Sequence, residues 1–257
     1  MTGKLVFFDI DGTLLDHDKK LPASAIQAIR QLKQAGHEAA IATGRGPFMF
    51  KHVREQLGIE SFVSFNGQYV EWKNEPLLKN PIRADLLREL TDFADAKGHP
   101  LVYMDLETMK SNAEYHVHIE ESIATLQVPH PTHDPAYFRG RDIYQSLVFC
   151  TIDEEPMYRK RFPYLNFIRW HPLSMDVLPF GGSKAKGIEA MIRRLGVRKE
   201  EIYAFGDYLN DIEMLQFAGT GIAMGNAPDV VKKAAKLVTR NVEDDGIWHG
   251  LRMAGLL

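Results

Sequence analysis

A single cysteine, Cys150, excludes any disulfide within the chain. It stands in the apolar run Leu147-Val148-Phe149-Cys150, where a thiol serves as a small buried hydrophobe rather than as a nucleophile. No apolar run approaches the ~20 residues of a membrane span. The first apolar segment ends at Asp9, too early for the core of a signal peptide, so the cytoplasm is the expected location and no membrane partner is expected. With 31 Lys and Arg against 34 Asp and Glu, a formal net charge of -3, the chain lacks the basic excess of a nucleic-acid binder. Internal repeats and low-complexity segments are missing too. What is present is ordinary for a globular protein: 257 residues, 45% hydrophobic and 25% charged, enough for one large core with an inserted subdomain and no covalent staples. A monomer or a homodimer fits that size.

The stretch that organises the rest is Leu5-Val6-Phe7-Phe8-Asp9-Ile10-Asp11-Gly12-Thr13. Four apolar residues, two of them aromatic, read as a strand buried on both faces, and the run stops at a carboxylate. Asp9 is thus expected at a strand's carboxyl end, with Asp11 two residues on and Gly12 permitting a tight turn. In open α/β sheets the crevice beyond the strands' carboxyl ends is where ligands bind. An ordinary solvated Asp-rich turn is the plain alternative.

Downstream, Ala23 to Ala35 carries Ile26, Ile29 and Leu32 at helical spacing, and Glu38 to Thr43 reads as a second buried strand ending at Thr43-Gly44-Arg45. Together they make a βαβ unit with parallel strands. Phe48 to Leu57 reads as a helix, Phe62 to Phe65 as a strand ending at Asn66-Gly67, and Gln68 to Leu78 as a hairpin turning near Lys73-Asn74. From about Pro81 the βα alternation gives way to an α+β pattern: a helix over Ala84 to Lys97, strands at 101–104 and 144–152, a polar His-bearing stretch between them, a helix over 154–162, and strands at 167–170 and 175–178. The alternation then resumes with a helix from Ser183 to Leu195, a strand Ile202 to Gly206 ending at Asp207, a helix Asn210 to Phe217, a strand Gly221 to Met224, a helix Asp229 to Ala235 and a last strand at Leu237-Val238. The expected class is α/β, a doubly wound parallel-sheet core formed by residues 1–80 and 182–257, with an α+β cap domain inserted at 81–181.

Four segments carry a resemblance: Asp9-Ile10-Asp11-Gly12-Thr13, Ala42-Thr43-Gly44-Arg45, Ser183-Lys184, and Gly206-Asp207-Tyr208-Leu209-Asn210-Asp211. In this order they resemble the four motifs of the haloacid dehalogenase (HAD) superfamily. The Asn66-Gly67 element and the large insert resemble its Cof-type branch of phosphatases. The resemblance spans the entire chain. It implies a Rossmann-like HAD core, Mg²⁺ as cofactor and a small phosphorylated metabolite as substrate: a sugar phosphate, a flavin-precursor phosphate or a pyridoxal phosphate.

The residue types suit that chemistry on their own terms. Phosphate monoester hydrolysis needs rate enhancements on the order of 10²¹, so charge neutralisation and positioning must supply most of the effect. Acids alone would repel the substrate; Mg²⁺ takes oxygen ligands and bridges carboxylates to phosphate. Asp9 and Asp207 are the expected carboxylate ligands, and the resemblance adds the backbone carbonyl of Asp11 as a third. Asp9 is the expected nucleophile, forming an aspartyl-phosphate, and Asp11 the group that protonates the leaving oxygen and later takes a proton from water. Crowding by other carboxylates raises the Asp11 pKa while a metal lowers it, and the sequence leaves that balance open. Lys184, at a helix start, can pair with Asp9 and with phosphoryl oxygens; Lys186, two residues on, faces away. Thr43 and the Gly44 N–H can cradle the phosphate, or Thr43 can simply cap the following turn. Asn210 can donate to phosphate, and Asp211 either fixes Lys184 or holds a metal-bound water; a helix N-cap is the plain alternative for this pair. Arg45 and Asn66 are placed against the organic part of the substrate. Among the histidines, His116 and His118 with His130, His133 and His171 raise a zinc alternative, but their spacing matches no recognised site. Asp244-Asp245-Gly246 is given a capping role.

The reading is therefore a Mg²⁺-dependent phosphatase. The rivals are a phosphomutase or other phosphotransferase, which passes the phosphate to a sugar hydroxyl, and a non-catalytic phosphometabolite sensor, which has no use for Asp11.

Overall fold

The computed structural model describes residues 3–257, which divide into two compact units. The first unit takes the chain up to Arg45, then Met49–Lys79 and Ser183–Leu257; the second takes Gly46–Phe48 and Asn80–Gly182.

The first unit opens with β1 (Leu5–Phe8), α1 (Ala23–Gln34), β2 (Glu38–Ala42), α2 (Lys51–Leu57), β3 (Ser61–Ser64), β4 (Tyr69–Trp72) and β5 (Glu75–Lys79). The second unit contributes α3 (Ala84–Lys97), β6 (Leu101–Met104), β7 (Met109–Ser111), α4 (Val117–Ala124), β8 (Gln145–Val148), α5 (Glu155–Arg161), β9 (Leu165–His171) and β10 (Ser174–Pro179). The first unit then resumes with α6 (Lys184–Leu195), β11 (Ile202–Gly206), α7 (Ile212–Phe217), β12 (Thr220–Ala223), α8 (Asp229–Ala234), β13 (Leu237–Val238) and α9 (Gly246–Met253).

The sheet of the first unit runs β13-β12-β11-β1-β2-β3-β4-β5. From β13 to β3 all neighbours are parallel, and β4 and β5 add an antiparallel edge. β1 sits in the middle, and each of its four residues is fully buried, as a central strand covered on both faces demands. Burying an aromatic side chain such as Phe7 or Phe8 contributes about 1.5–3 kcal/mol. The ring of Phe8 also stacks on Phe205 of β11 at 5.1 Å, so the two strands whose ends carry Asp9 and Asp207 are locked side by side. The second unit is a separate antiparallel sheet, β7-β6-β8-β10-β9, packed on α3 and α5 through Leu87, Leu90, Tyr158, Phe167 and Val177. An α/β architecture with a parallel core and an inserted α+β unit is thus what the chain adopts.

Several boundaries differ from those expected, each for a physical reason. α2 begins at Lys51 rather than Phe48, because Phe50 takes a non-helical backbone (φ -125, ψ 17) and buries its ring against Phe62. The strand expected to run to Ile152 stops at Val148: Phe149 donates to the carbonyl of Pro100, which has no N–H to return the bond. The 210–217 helix starts with a 3-10 turn at Leu209–Asp211 before α7 proper. Two helices were not foreseen. α4 lies in the polar, His-bearing stretch; its buried face rests on Ile119, Ser122 and Ile123, and its cap is the His116 imidazole, which accepts from His118 N–H at 3.2 Å. α9 follows Asp245, which stands at the N-cap but with a left-handed backbone (φ 59) and no side-chain cap bond, so the capping role expected of Asp244-Asp245-Gly246 is not filled by that side chain.

Candidate active site

Parallel strands in register bring their carboxyl ends to one edge, and the chain segments leaving β1, β2, β11 and β12 meet there. Asp9 leaves β1 with its N–H on the Phe205 carbonyl at 3.0 Å and is 6% exposed. Lys184, first residue of α6 and 1% exposed, donates to Asp9 Oδ1 at 2.5 Å and to Asp211 Oδ1 at 2.6 Å. Ser183 caps that helix by accepting from Lys186 N–H, which fixes where the lysine starts. Lys186 itself turns outward to Glu189. Asp211 is fully buried, and its other oxygen accepts from the N–H groups of Asp207 and Tyr208, each at 3.0 Å.

Asp207 is held by neutral donors: Thr13 Oγ1 on Oδ1 at 3.1 Å and Asn226 Nδ2 on Oδ2 at 3.4 Å. Gly12 packs so tightly against it that a Cβ there would stand 2.2 Å from Asp207 Oδ2, and its φ of +76 is in the left-handed region. On the β2 and β3 side the Thr43 hydroxyl accepts from Arg45 N–H, and the Asn66 N–H donates to the Thr43 carbonyl. Phe65, Asn66 and Gly67 all have positive φ (50, 50 and 96), an unusual run that for Phe65 is a strained one. Asn210 Nδ2 reaches Asn66 Oδ1 at 3.3 Å, bridging the β3 and β11 ends. A Cβ on Gly67 would meet the Ser183 carbonyl oxygen at 2.0 Å, so the close approach of α6 to this turn needs a glycine.

Asp11 and Arg45 are arranged differently from expectation. Arg45, assigned from sequence to the substrate's organic part, grips Asp11 through Nε (2.8 Å) and Nη2 (2.6 Å), and Lys19 adds a third bond at 2.6 Å. Lys19 was not foreseen; it reaches back from a turn closed by Asp16 and Lys20, where its own φ is 60. The histidines serve as caps and local partners: His130 accepts from His116 N–H, and His171 pairs with the Ser122 hydroxyl.

Electrostatics divides these acids. Burial pushes the Asp9 carboxyl well up; the Lys184 ammonium opposes this, while Asp211, Asp207 and Asp11 add to it. Burial, with the Asp211 charge, pushes Asp207 up to about 7. Burial also acts to raise Asp11, but the Arg45 and Lys19 bonds and charges override it and hold that carboxyl below its usual range. Lys184 is affected most by burial, which lowers it, yet the charges of Asp211 and Asp9 raise it overall and keep it protonated.

Carboxylate oxygens of Asp9, Asp207 and Asp211 lie within 4.8 Å of one another, the one group of potential metal ligands this dense among the described residues, and no histidine belongs to it. Three carboxylates face one buried ammonium, so the cluster is short of positive charge, and a divalent cation with a preference for oxygen fits that deficit. Asp211 already accepts three bonds, which leaves Asp9 and Asp207 as the acids with oxygen to offer.

The sign of the resulting pH dependence follows directly. An acid whose folded pKa lies above its unfolded value keeps its proton longer in the folded state, so folding loses stability as pH rises between the two values. For Asp207 that window runs from the ordinary 3.8 to about 7. Metal-free protein is expected to show a lower urea midpoint at about pH 8 than at about pH 5, and Mg²⁺ to recover more of the midpoint at the higher pH.

The family model for haloacid dehalogenase-like hydrolases matches residues 6–251. The chain belongs to that family. YkrA of Bacillus subtilis (strain 168) is 46% identical over 257 residues, all of both chains. Among solved structures, a hypothetical protein of Geobacillus kaustophilus HTA426 is 56% identical with a TM-score of 0.95, over 99% of this chain and 100% of that one. The HAD subclass IIB sugar phosphatase BT4131 is 30% identical with a TM-score of 0.87, again over 99% and 100%. With these full-length likenesses the protein is a phosphatase hydrolase of the HAD superfamily. No helix among its described residues is long and apolar enough to cross a membrane.

Proposed function

We propose that this HAD hydrolase is a Mg²⁺-dependent phosphatase of small phosphorylated metabolites, working through an aspartyl-phosphate on Asp9. The observation that carries the reading is the pairing of Asp9 with a fully buried Lys184 beside Asp207: a carboxyl group oriented by an ammonium that opposes the upward push of burial, next to an acid that is in no ion pair among the described residues. Asp9, Asp207 and the Asp11 carbonyl would hold the metal, which would supply the charge that lets an anion approach an anion.

The remaining steps belong to the chain's own groups. An Asp9 oxygen bonds to phosphorus as the ester P–O bond breaks, and the leaving oxygen takes a proton from Asp11. Water then attacks phosphorus, giving its proton to Asp11, and the Asp9–phosphorus bond breaks to release inorganic phosphate. Lys184, Thr43, the Gly44 N–H and Asn210 hold the phosphoryl oxygens. Asp11, clamped by Arg45 and Lys19, is set up as the base of the second step; to act as the acid of the first it must exchange those cations for a proton. In this reading the inserted unit, residues 81–181, is the cap, and selectivity for the organic part resides there. The likeness to a sugar phosphatase supports sugar phosphates within the class, beside flavin-precursor and pyridoxal phosphates.

A phosphate-release screen over phosphorylated metabolites, with and without EDTA, tests this. Release is expected with Mg²⁺, to stop on chelation and to return with Mg²⁺ but not Zn²⁺. Transfer of the phosphoryl group to a sugar hydroxyl with no free phosphate would favour a phosphomutase instead.

A further inference from the structure

We propose that Asn226 is a positioning residue for the divalent cation: it fixes the carboxylate of Asp207 and the Gly12 carbonyl, one peptide beyond that of Asp11, and so sets the affinity of the site for its metal. The inference rests on the metal-dependent reading above and names a residue that reading does not use.

Asn226 lies on the exposed segment that follows β12, where an asparagine ordinarily spends its amide on water. Here the whole amide is committed inward. Its Nδ2 donates to the Gly12 carbonyl at 2.9 Å and, at a longer 3.4 Å, to Asp207 Oδ2, while its Oδ1 accepts from Val242 N–H at 3.0 Å. One side chain thus joins the segment after β1, the segment after β11 and the 3-10 turn at Val242–Asp244. The partner across Asp207 is the buried Thr13 hydroxyl, so each carboxylate oxygen receives one donor and the plane of the group is pinned.

Both donors are neutral, and that is the informative part. Asp9 and Asp211 share Lys184, and Asp11 takes Arg45 and Lys19, but among the described residues Asp207 is in no ion pair. A cation in place of Asn226 or Thr13 would orient Asp207 equally well and cancel the charge a metal needs. Neutral donors orient it and leave its charge available, as outer partners of metal-ligating carboxylates commonly do. The bond to the Gly12 carbonyl acts in the same way on the backbone, fixing the residue that follows the Asp11 carbonyl.

The test is calorimetric titration of Mg²⁺ into substrate-free protein, wild type against Asn226→Ala, beside Mg²⁺ activation curves with p-nitrophenyl phosphate. Asn226→Ala is expected to weaken Mg²⁺ binding about 10–100-fold. Its kcat and KM should return to wild-type values once Mg²⁺ is saturating, a split that general loosening of the fold would not give. Asn226→Ser, polar but too short to span these contacts, carries the same expectation and serves if the alanine variant does not fold. Wild-type Mg²⁺ affinity in either folded variant, or a loss of kcat that saturating Mg²⁺ does not repair, would overturn the inference while leaving the phosphatase reading intact. Failure of the wild type itself to bind Mg²⁺ would overturn both.

Discussion

Asp9→Asn is expected to reduce phosphate release from p-nitrophenyl phosphate by at least about 10⁴-fold while leaving the protein folded and at least as stable as the wild type. The two halves of that result have separate causes. Asparagine keeps the volume at the end of β1 and can still meet Lys184, but a neutral amide cannot carry a phosphoryl group between two half-reactions. Stability survives because burial works against the charged form of Asp9, and removing that charge relieves a site in which Asp207 and Asp211 already compete for positive charge. Lys184 retains its bond to Asp211 in the variant. Loss of activity together with loss of fold would point to a structural role for Asp9; retained activity would remove it as the nucleophile.

Lys184→Met has the opposite profile, because here stability itself is at stake. The ammonium is 1% exposed and serves two acids that are themselves 6% and 0% exposed, so methionine fills the space but leaves both carboxylates buried without a counter-ion. Removing one partner of a buried pair costs about 3–5 kcal/mol. For a chain of this size that is a fall in melting temperature of roughly 10 °C. With the lysine gone, nothing opposes the burial that pushes Asp9 up, so Asp9 holds its proton to higher pH in the folded state than in the unfolded one, and the deficit should be smaller at about pH 5 than at about pH 8. Turnover should be lost at both, since Lys184 also faces the phosphoryl group in the proposed mechanism. Melting curves of variant and wild type at the two pH values check this; a variant as stable as wild type at the higher pH would show that the three-group cluster does not carry the charge balance assigned to it.

The route from sequence to site was short for some residues and closed for others. Leu5 to Phe8 announced a fully buried strand and therefore placed Asp9 at its end, and the same logic placed Thr43, Asn66 and Asp207, because each stands where an apolar run stops. Lys184 could be preferred to Lys186 because it stands at the start of a helix on which a residue two positions further faces away, as Lys186 does in turning to Glu189. Asn226 also stands just past a strand end, two residues beyond the strand read at Gly221 to Met224, but the sequence reading did not single it out, because strand order decides whether a given end matters. Only the neighbourhood of β12, β11 and β1 brings Asn226 to Asp207. Lys19 was hidden for a different reason: a left-handed residue in the Asp16–Lys20 turn carries its side chain back to Asp11, and nothing local announces it. The Arg45–Asp11 grip likewise joins residues 34 positions apart; with Lys19 it holds the Asp11 carboxyl below its usual range, a contribution outside the balance of crowding and metal weighed from the sequence.

The most direct measurement is peptide mapping of the wild-type enzyme quenched in acid during turnover of p-nitrophenyl phosphate. A phosphoryl group found on the peptide bearing Asp9, absent from Asp9→Asn and from enzyme stripped of metal, is the predicted result. Steady phosphate release with no phosphoryl group on that peptide, or with the group on another residue, would contradict the account.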